Sequence, residues 1–165
     1  EPIVAFGPSS SSPHHQNGNR KLKKRDIVLI DMGMKYKGYC SDMTRTFFLG
    51  KPTTQQENVY QKVLDAQLAG IAQIKAGAKA ASVDKAARKS MGEDEKYFGH
   101  SFGHGIGLDV HESPNLSSKS KDILKENMID TAEPGIYLPG KFGVRIEDMG
   151  RVTKTGYENF TKIVK

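Results

Sequence analysis

Two stretches in which apolar and polar residues alternate predict β-hairpins, one towards each end of the chain. The runs Asp26–Met34 and Tyr39–Phe48 flank the polar break Lys35–Gly38, and the runs Ile129–Leu138 and Phe142–Val152 flank a Pro-Gly-Lys break. Runs rich in β-branched and aromatic residues on either side of a short turn signal are typical of paired antiparallel strands. The pattern therefore predicts four strands in two hairpins.

Between the hairpins the apolar spacing changes to that of helices. Apolar residues recur every three or four positions from Thr54 to Gly77, and Thr54 with Glu57 matches a capping box. A shorter helix is predicted from Ser82, whereas the four glycines of Phe98–Val110 exclude a stable helix there. The order of hairpin, helix, helix, strand-like segment and hairpin predicts an α+β domain built around an antiparallel sheet.

Composition narrows the class of protein. The 165 residues suit one domain (1–165), and 36% hydrophobic with 27% charged residues is ordinary for a globular protein. No apolar run approaches the roughly 18 residues of a membrane span, so no membrane contact is expected.

The start of the chain has neither an initiator Met nor a signal-peptide pattern, which indicates a truncated chain. A single cysteine, Cys40, excludes an internal disulfide and predicts a cytoplasmic protein. The net charge of +6 is scattered, so nucleic-acid binding is not expected.

Each predicted hairpin brings two acids together. With a two-residue turn at Tyr36-Lys37, counting outward places Asp31 opposite Asp42. In the second hairpin a three-residue turn places Glu133 opposite Glu147. Facing acids destabilise a sheet, and burial raises that cost unless a cation lies between them. A divalent metal is the simplest such cation, although four exposed acids on strand edges remain an alternative.

The glycine-rich segment adds imidazoles. His100, His104 and His111 fall within twelve residues, and structural and ligand roles are about equally favoured by that spacing alone. The sequence has no His-Glu-x-x-His helix, nucleophile elbow, Walker loop or Rossmann fingerprint. Oxygen ligands with a few imidazoles suit Mn, Co, Fe or Zn. Two such ions about 3.5–4 Å apart can activate a water and polarise a carbonyl.

These residues resemble the pita-bread metallopeptidases, which comprise methionine aminopeptidases, aminopeptidase P, prolidase and relatives. The resemblance extends from Pro2 to about Phe160. Its matching segments include Asp31-Met32-Gly33, Gly38–Thr46, His104-Gly105-Ile106-Gly107, Val110-His111-Glu112, Glu133–Tyr137 and Gly143–Asp148. Three features are similar to the Xaa-Pro peptidase branch: the run Tyr39–Thr46, His100 four residues before His104, and the run Arg145–Asp148.

The resemblance implies a fold and a metal centre. The fold is a curved antiparallel sheet covered by helices, with pseudo-two-fold halves, and the chain corresponds to the C-terminal catalytic domain without its N-terminal part. Two divalent ions are implied, with manganese first and cobalt, zinc or iron as alternatives. The implied metal ligands are Asp31, Asp42, His104, Glu133 and Glu147, of which Asp42 and Glu147 bridge the ions.

The resemblance also implies catalytic roles and a reaction. A metal-bridging hydroxide attacks the scissile carbonyl, Glu133 shuttles the proton and His111 stabilises the reacting carbonyl or positions the substrate. His100 and His14 match further active-site histidines, and Arg145 supports the carboxylates. The implied substrate is a proline-containing peptide or an Xaa-Pro dipeptide. The oligomeric state stays open, with a homodimer of the full-length protein as one candidate.

Rival interpretations remain at this point. A non-catalytic binding module would keep the fold and lose a metal ligand, and a nucleic-acid-binding protein would use the positive charge. The segment Asp130–Glu133 departs from the family's apolar-Thr-apolar-Glu pattern, because Asp130 puts a charge where a buried strand residue is expected.

Overall fold

The structure, a computed structural model, describes residues 1–165 and contains twelve strands and two α-helices. The first strands are β1 (Ile3–Phe6), β2 (Ile27–Met32), β3 (Lys35–Tyr36), β4 (Tyr39–Cys40) and β5 (Met43–Phe48). The helices are α1 (Thr54–Ile71) and α2 (Ala80–Met91). The remaining strands are β6 (Gly103–Gly105), β7 (Glu112–Leu116), β8 (Ile129–Ala132), β9 (Gly135–Leu138), β10 (Phe142–Arg145), β11 (Asp148–Val152) and β12 (Tyr157–Asn159).

All strand pairs are antiparallel, as predicted. The N-terminal sheet has the order β1-β2-β5, and a five-stranded sheet has the order β12-β11-β8-β6-β7. Two-stranded ribbons, β3-β4 and β9-β10, extend the two hairpins. The order of hairpin, two helices, strand and hairpin therefore agrees with the prediction of an α+β domain.

The first hairpin corrects the predicted register. Asp31 pairs with Thr44 rather than with Asp42, because the turn is Lys37-Gly38 and not Tyr36-Lys37. Both turn residues have positive φ, 49° and 90°, as a type I′ hairpin turn requires, and glycine adopts such angles without a steric penalty. Since side chains alternate with a period of two, this two-residue difference keeps the residues on the predicted faces.

The second hairpin has the predicted register throughout. Phe142 pairs with Leu138 next to the turn, and Asp148 pairs with Ala132 further along. Ladder pairing is interrupted between these segments, around Glu133, yet the residues on both sides of the interruption keep one register. Glu133 and Glu147 therefore lie at matching positions of the two arms.

The helices cover the sheets through one apolar core of 20 buried residues. Thr53 caps α1 in a capping box with Gln56, one residue earlier than predicted, and the helix ends at Ile71 rather than at Gly77. The second helix begins at Ala80, two residues before the predicted start. Neither helix is long and apolar enough to cross a membrane.

Asp130 is an exception within this core. It is fully buried in β8, and neither of its carboxylate oxygens has a hydrogen-bond partner. Burial raises the pKa of its carboxyl from 3.8 to about 7. The structure thus confirms the departure from the family's pattern: a titratable group occupies a buried strand position where an apolar residue is expected.

Candidate metal and catalytic site

A cleft of about 1040 Å³ lies where the two hairpins meet the glycine-rich segment. All nine residues predicted from the sequence to form the site line it: His14, Asp31, Asp42, His100, His104, His111, Glu133, Arg145 and Glu147. The structure thus brings together side chains that are up to 133 positions apart in the chain.

Three donor groups converge most closely. One side-chain donor atom each of Asp42, His104 and Glu147 lies within 4.8 Å of the other two. Glu147 is almost fully buried, with 1% of its surface exposed. Glu133 adjoins this group, because its Oε1 lies 3.2 Å from Nε2 of His104.

The ring of His104 is oriented by the backbone. Its Nδ1 lies 3.0 Å from the carbonyl oxygen of Gly105, which can only accept, so Nδ1 carries a proton. Nε2 then faces Glu133, and a lone pair there would meet a carboxylate oxygen 3.2 Å away. A proton or a cation between the two atoms removes that repulsion. This arrangement is typical of a histidine metal ligand.

The cleft contains several buried carboxyl groups, and their proximity favours the binding of a cation between them. Burial, with contributions from Asp31 and Glu133, raises the pKa of Asp42 to about 6. Burial and the neighbouring acids raise the pKa of Glu147 well above its ordinary value. Burial acts to raise the pKa of Glu133 too, but the contact with His104 and nearby cationic groups lower it overall. Divalent cations would stabilise these carboxylates in their charged form.

Arg145 connects the acids of the two hairpins. Its guanidinium forms an ion pair with Asp31, and its Nε donates to Oγ1 of Thr44 at 3.0 Å. The Thr44 hydroxyl donates in turn to Oε2 of Glu147 at 2.8 Å. Because Arg145 is only 3% exposed, its contacts are weakly screened. This network fixes one carboxylate in each hairpin.

His100 belongs to the same network through a tyrosine. The hydroxyl of Tyr137 lies 2.8 Å from Nε2 of His100 and accepts from Nη1 of Arg145, also at 2.8 Å. Nδ1 of His100 lies 2.9 Å from the carbonyl oxygen of Ser101. Nδ1 therefore donates and Nε2 accepts, and burial lowers the pKa of the ring. Both ring nitrogens of His100 are thus hydrogen-bonded to other groups of the protein.

The other two histidines lie towards the mouth of the cleft. The ring of His111 is exposed and its centroid lies 4.3 Å from that of His104. His14 is also exposed and lines the same cleft. Both are free to meet a ligand that enters from solvent.

Comparison with known proteins agrees with this geometry. The sequence model of metallopeptidase family M24 matches residues 1–154. The chain belongs to this family. M24 membership implies divalent metal binding, and the donor set in the cleft fits such ions because it consists of carboxylate oxygens and an imidazole nitrogen.

This M24 chain is similar to an uncharacterized peptidase of Bacillus subtilis, YqhT, with 48% identity over 96% of the chain and 46% of the relative. Among solved structures, it is similar to an Xaa-Pro dipeptidase from Bacillus anthracis (45% identity, TM-score 0.97, 99% of this chain and 47% of that one). It is also similar to an X-Pro aminopeptidase from Thermotoga maritima (39%, TM-score 0.96, 99% and 47%). The fold is thus the pita-bread fold, and the M24 chain spans about half the length of these relatives.

Sequence reasoning missed two members of the network. Thr44 is two residues from Asp42 in an extended segment, so the period of two could have placed it on the same side. Tyr137 lies in the segment after Glu133, but only the structure shows its hydroxyl between His100 and Arg145. Both contribute polar contacts that the ligand pattern of an M24 protein does not reveal by itself.

Proposed function

We propose that this M24 chain is the catalytic half of a peptidase that hydrolyses the bond before proline, at peptide N-termini or in Xaa-Pro dipeptides. The observation that supports catalysis is the convergence of the donor atoms of Asp42, His104 and Glu147 within 4.8 Å in an open cleft. The similar solved structures described as an Xaa-Pro dipeptidase and an X-Pro aminopeptidase support the substrate class.

Two divalent ions fit the donor set of the cleft. The residues proposed to hold them are Asp31, Asp42, His104, Glu133 and Glu147. Manganese is the first choice, with cobalt, zinc or iron as alternatives. When bound, such ions supply Lewis acidity and an activated water.

Three side chains of the cleft are assigned proton transfer, stabilisation of the oxyanion and contact with the peptide. Glu133 turns Oε1 towards His104, which leaves Oε2 to take a proton from the attacking water and pass it to the proline nitrogen. His111 lies at the cleft mouth, where its ring can donate to the scissile carbonyl oxygen as that oxygen becomes negative. His14 lines the same mouth and would contact the peptide.

Arg145 and His100 act on the site indirectly. Arg145 orients Asp31 directly and Glu147 through the Thr44 hydroxyl. His100 holds the Tyr137 hydroxyl that contacts Arg145, and both of its ring nitrogens are already engaged. We assign these two residues to the positioning of the carboxylates.

An activity assay with metal replacement tests the proposal. Protein stripped of metal is supplied with Mn²⁺, Co²⁺ or Zn²⁺ and offered an Xaa-Pro dipeptide, a longer Xaa-Pro peptide and an Xaa-Ala control. Metal-dependent cleavage of a proline substrate, lost in Glu133→Ala, is expected. Metal uptake without cleavage of any of these peptides would instead favour the binding module. The cytoplasmic location, the homodimer and the absence of nucleic-acid binding remain predictions.

A further inference from the structure

A buried glutamine reaches both strand segments that carry Glu133 and Glu147. Gln67 lies on α1 and has no solvent exposure. Its Nε2 donates to the carbonyl oxygens of Ala132 at 2.8 Å and of Ile146 at 3.2 Å. Because both partners are acceptors, only the NH₂ end of the amide fits between them. Each carbonyl belongs to the peptide unit that leads into one of the two glutamates.

One of these carbonyls lacks its usual partner in the strand ladder. The N–H of Ile146 donates to the carbonyl oxygen of Pro134 at 3.4 Å. In an antiparallel pair the opposite residue returns a hydrogen bond, but proline has no N–H. A buried carbonyl without a donor is costly, and Gln67 supplies the donor that Pro134 cannot.

Neighbouring strands hold the other end of the same two peptide units. The N–H of Glu133 donates to the carbonyl oxygen of Phe102 at 2.8 Å, and the N–H of Glu147 donates to that of Thr44 at 3.0 Å. Each unit is therefore fixed at its N–H by an adjacent segment and at its C=O by Gln67. Fixing both ends of a planar peptide unit also fixes the position of the next Cα atom, from which the glutamate side chain extends.

We propose that Gln67 is a positioning residue for the metal centre, because its one amide group fixes the peptide units of both Glu133 and Glu147. The separation of the two carboxylates then depends on a side chain that touches neither of them. The inference rests on the proposed metal-binding role of these glutamates. It goes further by assigning control of ligand spacing to the helix behind the sheet.

A metal titration with a matched core variant tests this role. Gln67→Met removes both donors with little change in shape, and Val63→Ala creates a small cavity one turn away on the same helix, at another fully buried position. Mn²⁺ affinity is measured by calorimetry on stripped protein, and thermal unfolding is measured without metal. Gln67→Met is expected to weaken Mn²⁺ binding about 10–100-fold, as lost support of a ligand does. Val63→Ala is expected to lower the unfolding temperature and leave Mn²⁺ affinity within about twofold.

The outcomes separate this inference from the proposed function. Mn²⁺ affinity in Gln67→Met equal to that of the wild type, or equal losses in both variants, would overturn the positioning role while the metal centre stands. Wild-type protein that binds no Mn²⁺, Co²⁺ or Zn²⁺ would refute the metal centre itself. If Gln67→Met does not fold, Gln67→Asn, whose shorter amide cannot span both carbonyls, replaces it with the same expectations.

Discussion

The guanidinium of Arg145 is ion-paired with the carboxylate of Asp31, so a residue that is 3% exposed holds an acid from the other hairpin at the metal cleft. The same guanidinium donates to the hydroxyls of Thr44 and Tyr137. The guanidinium thus contacts three side chains at once. These contacts need several N–H donors in one rigid plane, which arginine has and a lysine ammonium does not.

Arg145→Lys is therefore expected to weaken metal binding and turnover together. We expect a loss of about 10–100-fold in Mn²⁺ affinity, because Asp31 loses its orienting partner. Calorimetric titration and kcat of the metal-loaded protein measure the two effects. Arg151→Lys is the control, since the Arg151–Glu158 ion pair is about half exposed and outside the cleft. Equal Mn²⁺ affinity in both variants would contradict the assigned role.

His111 is expected to affect the reaction and not the metal. Its ring packs beside that of His104 at the cleft mouth, but its donor atoms are not part of the converging group. His111→Ala should lower kcat about 10²–10³-fold, as expected for a lost donor to a developing oxyanion, with Mn²⁺ affinity unchanged. His15→Ala, a neighbour of His14 that does not line the cleft, is the control. A changed Mn²⁺ affinity would show that His111 is a ligand instead.

Helix α2 secures the segment that carries His100. Asp84 is fully buried, accepts from the N–H of Phe102 at 3.0 Å and pairs with Nε of Arg88 at 2.7 Å. The guanidinium of Arg88 also donates to the carbonyl oxygens of Phe98 and His100, at 2.9 and 2.6 Å. Arg88 therefore connects the helix to two backbone carbonyls of the segment that carries His100.

Arg88→Met is expected to lower the free energy of unfolding by about 3–5 kcal/mol, because it leaves Asp84 as a buried, unpaired charge. Urea denaturation of the stripped protein measures the loss. Arg151→Met removes an exposed arginine of similar length and should cost less than about 1 kcal/mol. Similar losses in the two variants would show that the Arg88 contacts contribute little to stability.

The sequence predicted the second hairpin better than the first for a physical reason. Pro139 and Lys141 bound a three-residue turn that permits one register, whereas the first hairpin accepts a two-residue turn at either of two positions. The positive φ of Gly38 selects the turn one position after the predicted one, which shifts the partner of each residue by two. Asp31 and Asp42 still line the same cleft, because a shift of two residues leaves each side chain on its predicted face of the sheet.

The polar contacts that support the site were not predictable from the sequence. Gln67 is one of several polar residues on α1, and no local pattern tells that its amide reaches the carbonyl of Ile146, 79 positions away. Arg88 lies in a helix whose charge pattern looks like that of an exposed face. The proposed ligand residues follow the periodicity of a strand, but the partners of buried backbone groups depend on how distant elements pack.

Asp130 gives a prediction about pH. Its carboxyl has a pKa of about 7 in the folded protein against an ordinary value of 3.8, because burial disfavours the charged form and no donor compensates. The folded protein therefore holds this proton more tightly than the unfolded chain. The contribution of this group to the free energy of unfolding falls as pH rises from about 4 to about 7, and it is constant above that.

Asp130→Asn replaces the group by a neutral one of the same size and should remove this fall. Between pH 5 and pH 8 the wild type is expected to lose about 2–3 kcal/mol of stability relative to Asp130→Asn, since each pH unit below the folded pKa corresponds to about 1.4 kcal/mol. Urea denaturation of both proteins at the two pH values measures the difference. Asp65→Asn, at an exposed position of α1, should show the pH dependence of the wild type. If wild type and Asp130→Asn change in parallel, Asp130 is already charged at pH 5, and burial without hydrogen bonds does not hold its proton.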